Sequence, residues 1–135
     1  MPPEVKHVLV IDDDEERRRR VAGLLSEEGF DVTAVGEGFS AVRLAAGRHF
    51  ALALVAMALP GALDGVRTVR QLRALQPQLK ALLLGEAAQW LGCPVGERDD
   101  FIAAPFRRRD LLGCVFELLQ REPGYLDRYR CSRAG

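Results

Sequence analysis

Three consecutive carboxylates, Asp12, Asp13 and Asp14, follow directly on a short apolar run, VLVI at residues 8–11. Adjacent carboxylates repel one another, so such a cluster has two ordinary uses. It can hold a hard cation such as Mg2+ through oxygen ligands, or one member can cap a helix while the others stay solvated. Spacing alone leaves both open. A Mg2+ site would need further oxygens from neighbouring segments. The apolar run at residues 50–57 is followed by Ala58, Leu59 and Pro60, and near its end Ala56 offers only a methyl group. The run at 79–84 leads into Gly85 and Glu86, and the one at 101–103 into Ala104, Pro105 and Phe106. Other chemistries lack their residues: there is no GxxxxGK[ST], no GxGxxG and no GxSxG. The two histidines, His7 and His49, fall at element boundaries away from these run ends. Without a nucleophile placed beside a base, the sequence gives no basis for an enzyme.

The elements that must position these residues alternate between strand-like and helix-like patterns. Residues 8–11 and 32–35 are short β-branched runs, and 50–57 is almost wholly apolar, as a central parallel strand covered on both faces should be. Residues 79–84 and 101–103 complete five strands. Between them lie helical stripes. Asp13 or Asp14 can cap the first, Glu15 and Glu16 suit its positive end, Val21, Leu24 and Leu25 form its apolar face, and Gly29 stops it. The run Arg17 to Arg20 follows the acidic stretch, and i,i+4 pairing accounts for it. A second helix is predicted over 39–48. A third, capped by Asp64, carries Val66, Val69, Leu72 and Leu75. A last one, striped by Leu112, Val115, Phe116 and Leu119, is opened by Arg107, Arg108 and Arg109. Five βα units predict one doubly wound (βα)5 flavodoxin-like α/β domain with a five-stranded parallel sheet in the order 2-1-3-4-5. The domain is expected over residues 1–124, with a polar tail at 125–135. Residues 85–98, which contain Trp90, Cys93 and Pro94, are the least regular. In an open parallel sheet, ligands bind outside the carboxyl ends of the strands, which is where Asp12, Ala56, Gly85 and Ala104 fall.

Bulk properties narrow the classes. The chain has 135 residues, 48% hydrophobic and 28% charged, with 19 basic and 19 acidic side chains. That balance suits one globular domain and gives no global field to draw nucleic acid or an anionic membrane. Cysteines at 93, 114 and 131 are odd in number and have no CxxC spacing, so a reducing, cytoplasmic setting is expected. Cys114 reads as core. The start, Met1-Pro2-Pro3-Glu4, lacks a signal-peptide pattern. No apolar run reaches the roughly 18 residues needed to span a bilayer.

VLVIDDD at 8–14, an Arg-rich helix ending at EEGF, LPGALDG at 59–65 and APF at 104–106 together resemble the receiver domain of bacterial two-component response regulators. The resemblance covers residues 5–121. In that family an aspartate at the end of strand three accepts a phosphoryl group from a histidine kinase. Two acidic residues after strand one hold magnesium. A Ser or Thr after strand four and a Lys after strand five bind the phosphoryl oxygens, and an aromatic residue on strand five changes rotamer. The resemblance puts the acidic pair at Asp12 and Asp13 and the aromatic switch at Phe101. It puts the acceptor position at Ala56, four residues before Pro60, the hydroxyl position at Gly85 and the lysine position at Ala104. The loop PGALDG is one residue longer than the common form.

Three of five reaction positions thus lack their functional group, and phosphoryl transfer rests on positioning and charge stabilisation. The resemblance implies a pseudo-receiver that works by contact with signalling proteins (a kinase, an output protein or a scaffold), with Mg2+ weakly bound by Asp12 and Asp13 or not at all, the Ala58 carbonyl being a remaining ligand. It implies an interaction and candidate homodimer face built from the fourth helix, fifth strand and last helix, where Trp90, Arg107, Arg108 and Arg109 lie. The arginines are read either as a solvated face or as a dock for an acidic surface. Direct nucleic-acid or membrane binding is not expected. Two alternatives stand beside this reading. One is a phosphorylatable receiver using a displaced aspartate such as Asp64. The other is a flavodoxin-like small-molecule site in a methyl-lined pocket at Ala56, Gly85 and Ala104.

Overall fold

The computed structural model describes residues 5–86 and 99–120. Five strands, β1 (His7–Ile11), β2 (Asp31–Val35), β3 (Leu52–Ala56), β4 (Lys80–Gly85) and β5 (Asp99–Ala103), pair in parallel in the order β2-β1-β3-β4-β5. Four described helices accompany them: α1 (Glu15–Glu27), α2 (Gly38–Ala45), α3 (Gly65–Leu75) and α4 (Arg108–Gln120), the last helix of the sequence reading. This is the doubly wound flavodoxin-like sheet that the alternating pattern predicts.

Period-two alternation sorts the strand side chains into two cores. Leu9 and Ile11 of β1, Ala53 and Val55 of β3, and Ala81 and Leu83 of β4 pack with Val69 and Leu72 of α3 and Ala41 of α2. Val8, Val10, Leu52, Leu54, Leu82 and Leu84 face the other way, onto Val21 and Leu25 of α1 and Leu111, Cys114, Val115 and Leu118 of α4. Because β3 is covered on both faces, all five of its residues are buried, which is why its sequence reads as a continuous apolar run.

Helix starts and stops follow local chemistry. The Asp14 carboxylate accepts from the Arg17 amide at 3.0 Å and the Asp64 carboxylate from the Arg67 amide at 2.9 Å, so both aspartates cap. α1 ends through Gly29, whose φ of +94° turns the chain so that the Phe30 amide reaches the Leu25 carbonyl at 3.2 Å.

Two of the boundaries that differ from the sequence reading have a visible physical cause. The second helix stops at Ala45, short of the expected residue 48. The Gln76 side-chain amide donates to the carbonyls of Ala45 (3.0 Å) and Arg48 (2.7 Å), so the freed acceptors are satisfied from another element. The fifth strand begins at Asp99, two residues earlier than expected. Two adjacent aspartates read as loop, yet both are buried. Arg73 of α3 binds the Asp99 carboxylate through both terminal nitrogens (2.6 and 3.3 Å) and donates to the Leu79 carbonyl (2.8 Å). The Asp100 carboxylate accepts from the Phe101 amide at 2.8 Å. Trp90, Cys93, Cys131 and the tail expected at 125–135 lie outside the described residues. Among the described residues, no helix is long and apolar enough to cross a membrane.

Candidate functional site

The carboxyl ends of the strands converge on one edge. Asp12 follows β1, its amide held by the Val35 carbonyl of β2 at 3.1 Å. Past β3, the Met57 amide donates to the Leu84 carbonyl at 2.7 Å, and past β5 the Ala104 amide donates to the Gly85 carbonyl at 2.7 Å. The peptide bond from Ala104 to Pro105 is cis. These ties fix Asp12, Ala56, Gly85 and Ala104 on adjacent strand ends.

A cleft of about 450 Å3 opens there. Ala58, Leu84, Gly85, Ala104 and Pro105 give it a wall of small and apolar groups, and Asp14, Glu16, Arg17, Arg20 and Glu86 give it charge of both signs. Ala56 is not among its lining residues. Its methyl, 1% exposed, is packed in the α2/α3-side core. The expected methyl-lined pocket is therefore corrected: Gly85 and Ala104 border the cleft, whereas Ala56 is sealed beneath it. The start of α3 packs tightly on the backbone at this strand end. A Cβ on Gly65 would stand 2.4 Å from the Ala56 carbonyl oxygen and 2.7 Å from the Met57 Cα.

The acidic cluster divides by environment. Asp12 is fully buried, whereas Asp13 and Asp14 are exposed. Arg17 reaches back from the first turn of α1 and grips the Asp12 carboxylate with two nitrogens, Nε on Oδ2 and Nη2 on Oδ1 at 2.8 Å. The Asp14 amide also donates to Oδ1 at 3.0 Å, and Arg18 Nη1 donates to the Asp12 carbonyl at 2.8 Å. The hydrogen bond to Asp12 holds the Arg17 pKa above its ordinary value, with burial acting the other way. The Asp14 pKa lies below its ordinary value, chiefly because its carboxylate accepts from the Arg17 amide.

The i,i+4 account of the arginine run is thus corrected. Arg19 pairs with Glu15 in that manner at 2.7 Å. Arg17 passes over Asp13, its i−4 neighbour, for the buried Asp12; Arg18 binds backbone; Arg20 lies over the Phe106 ring at 5.8 Å. A buried carboxylate offers a cation more than a solvated one does, because water competes less there.

Phe101, at the expected switch position, is buried (8% exposed) in the α2/α3-side core. Arg107 and Arg109 are exposed at the start of α4, while Arg108 bridges to Glu27 (3.1 Å) and Glu28 (3.5 Å) at the end of α1. Arg108 therefore ties two helices together within the domain. His7 sits at the opposite edge of the sheet, with Nδ1 2.9 Å from Asp31.

An open five-stranded parallel sheet with an acidic carboxyl edge defines a flavodoxin-like domain of the CheY-like form. A model of the response regulator receiver domain matches residues 8–115, and the chain belongs to that family, whose members are signalling domains of two-component systems. It is 33% identical over 119 residues to Protein PetR of Rhodobacter capsulatus, an alignment spanning 87% of this chain and 50% of PetR. The chain spans about half the length of the curated relatives it matches. The crystal structure of a response regulator receiver protein from Sinorhizobium medicae WSM419 superposes with a TM-score of 0.80 at 25% identity, covering 88% of this chain and 98% of that one. The receiver domain of sensor histidine kinase PA1611 from Pseudomonas aeruginosa PAO1, described with a magnesium ion in its active-site cleft, shares the fold at a TM-score of 0.74 and 24% identity, covering 86% of this chain and 98% of that one.

Proposed function

We propose that this chain is a receiver domain that transmits its signal by protein contact without accepting a phosphoryl group. The observation that carries the reading is the end of β3. The residue there is Ala56, whose buried methyl has no nucleophilic atom. The neighbouring strand ends support it. Gly85 has no hydroxyl and Ala104 no ammonium, so the groups that would bind phosphoryl oxygens and offset developing charge are missing with the acceptor. A working receiver gains roughly 1.5 to 2 negative charges on modification, and that charge biases its surface between two states. Without that input, the state of this domain is set by its partners. These are signalling proteins of a two-component pathway, meeting exposed groups on the α4 and β5 side such as Arg107 and Arg109. A homodimer through the same side belongs to this proposal, as does a receiver domain reaching residue 124.

A displaced acceptor is the competing reading. Asp64 is the nearest candidate in sequence, but its carboxylate is engaged in capping α3. Treating the full chain with acetyl phosphate and Mg2+, then measuring its intact mass, tests both readings at once. The expected spectrum is unmodified protein. A phosphoryl adduct that hydroxylamine removes would mark an acyl phosphate and overturn the proposal.

A further inference from the structure

The family implies magnesium at the acidic edge, and the residues present here do not fit it. Mg2+ takes near-octahedral oxygen ligation at about 2.0–2.1 Å and gives up its waters reluctantly. Asp12, the one buried carboxylate at this edge among the described residues, has its two oxygens engaged by Arg17 Nε, Arg17 Nη2 and the Asp14 amide. Asp13 is exposed and Ala56 supplies no oxygen from its side chain.

We infer that Arg17 is the resident cation of this receiver: its guanidinium replaces the divalent metal and closes Asp12 to it. Three independent features support the assignment. The first is ligand geometry. A planar guanidinium matches a carboxylate in two parallel hydrogen bonds, a fork that a lysine or a solvated ion does not reproduce.

The second is the cost of the location. Arg17 is the third residue of α1, where the helix dipole disfavours a positive charge. Its side chain turns away from Asp13, the partner that helical spacing offers, and is only 27% exposed where it meets Asp12. A cation held in an unfavourable part of the helix, away from its local partner, is held by what it binds.

The third is charge balance across the cleft. Ala56 and Ala104 stand at the positions that the family resemblance assigns to an anion and a cation. With both neutral, the Asp12–Arg17 pair is complete by itself. A dication entering there would have to displace Arg17 and remain beside its charge.

This inference deepens the phosphate-independent reading and rests on it for the meaning of the site, yet the two can fail separately. The probe is Mn2+, titrated into the 15N-labelled full chain while amide signals are followed for paramagnetic broadening. In the native protein the amides of residues 10–14 and 58 should stay sharp. In Arg17→Gln they should broaden at an Mn2+ concentration about tenfold or more below any that affects the native protein, the change expected from losing one charge-assisted contact. Arg17→Lys, which keeps the charge but not the fork, should fall between them and serves if the glutamine variant does not fold. Broadening of the native protein at the same Mn2+ concentration as the variants overturns the inference. So does an absence of broadening in every variant, since Arg17 would then not be what excludes the metal. None of these spectra involves a phosphodonor. An acyl phosphate on the native chain would sink the functional reading without touching the metal result.

Discussion

Truncating Arg17 should cost this domain far more than truncating its neighbour Arg19, although both are arginines on one helix paired with a carboxylate. The magnitudes follow from exposure. The Asp12 side chain is 0% exposed and Arg17 27%, whereas Glu15 and Arg19 are 62% and 77% exposed. Breaking a buried ion pair by removing one partner costs about 3–5 kcal/mol, because a charge is left without its counter-charge. Two features reduce that figure here. The Asp14 amide still donates to Asp12, and water can follow the shortened side chain in from the cleft. Arg17→Ala is therefore expected to lose about 2–4 kcal/mol. Asp12→Ala should lose less, since the freed Arg17 can turn to Asp13 or to solvent. A double-mutant cycle on the two should give a coupling of about 1.5–3 kcal/mol. The same cycle on Glu15 and Arg19 should give no more than about 0.5 kcal/mol. Urea unfolding with linear extrapolation measures all of these, with constant m-values as the check that the comparison is valid. Raising the salt to about 0.5 M should erase the surface coupling and leave most of the buried one. If the Asp12–Arg17 coupling is no larger than the surface one, Arg17 is an ordinary solvated arginine, and the account of the acidic edge is wrong.

Gly65→Ala should destabilise at the upper end of the roughly 1–3 kcal/mol typical of overpacking, because the new methyl would meet the Ala56 carbonyl and the Met57 Cα, both backbone atoms that cannot move aside; a melting temperature equal to the native one would refute the tight start of α3. Asp14 should make stability fall with acid. Its folded pKa is lowered from 3.8, so its contribution is full above the unfolded value near 3.9 and is lost as the pH drops through the folded one. Asp14→Asn keeps an oxygen to cap α1 but does not titrate, so native stability minus that of the variant should shrink between about pH 5 and pH 3. A difference that grows on acidification would contradict the assignment.

How much of this was legible in the sequence depends on where each partner lies along the chain. β1, β3 and β4 could be read directly, because strands covered on both faces must be apolar at nearly every position. The caps Asp14 and Asp64 were legible as well, since each binds an amide three residues on. The end of α2 was not, because Gln76 reaches it from 31 residues away. The start of β5 was hidden for a similar reason. Asp99 and Asp100 are polar enough to pass for loop, and the distant Arg73 helps make the burial of Asp99 tolerable. The engagement of Asp12 by Arg17 is a subtler miss, as the two are five residues apart. Helical spacing points Arg17 at Asp13, and that rule fails because Asp12 precedes the helix and lies inside the sheet edge. One signal was available: a carboxylate at a buried strand end, with alanines where the resemblance expects a lysine and an acceptor aspartate, still needs a cation from somewhere. That Ala56 ends β3 was legible from the apolar run, but its burial in the α2/α3-side core depends on packing from distant elements.

That burial sets what a carboxylate at this strand end would cost. An aspartate placed at residue 56 would put a carboxylate where a residue only 1% exposed now packs in the α2/α3-side core. Its charge would arrive beside Asp12 before any lysine stood at 104 to balance it. A buried polar group without a partner costs about 1–3 kcal/mol, and more when charged, against a total domain stability of only about 5–15 kcal/mol. Installing a carboxylate at this strand end would therefore begin with a loss of stability, and replacements at 85 and 104 would be needed beside it to bind phosphoryl oxygens.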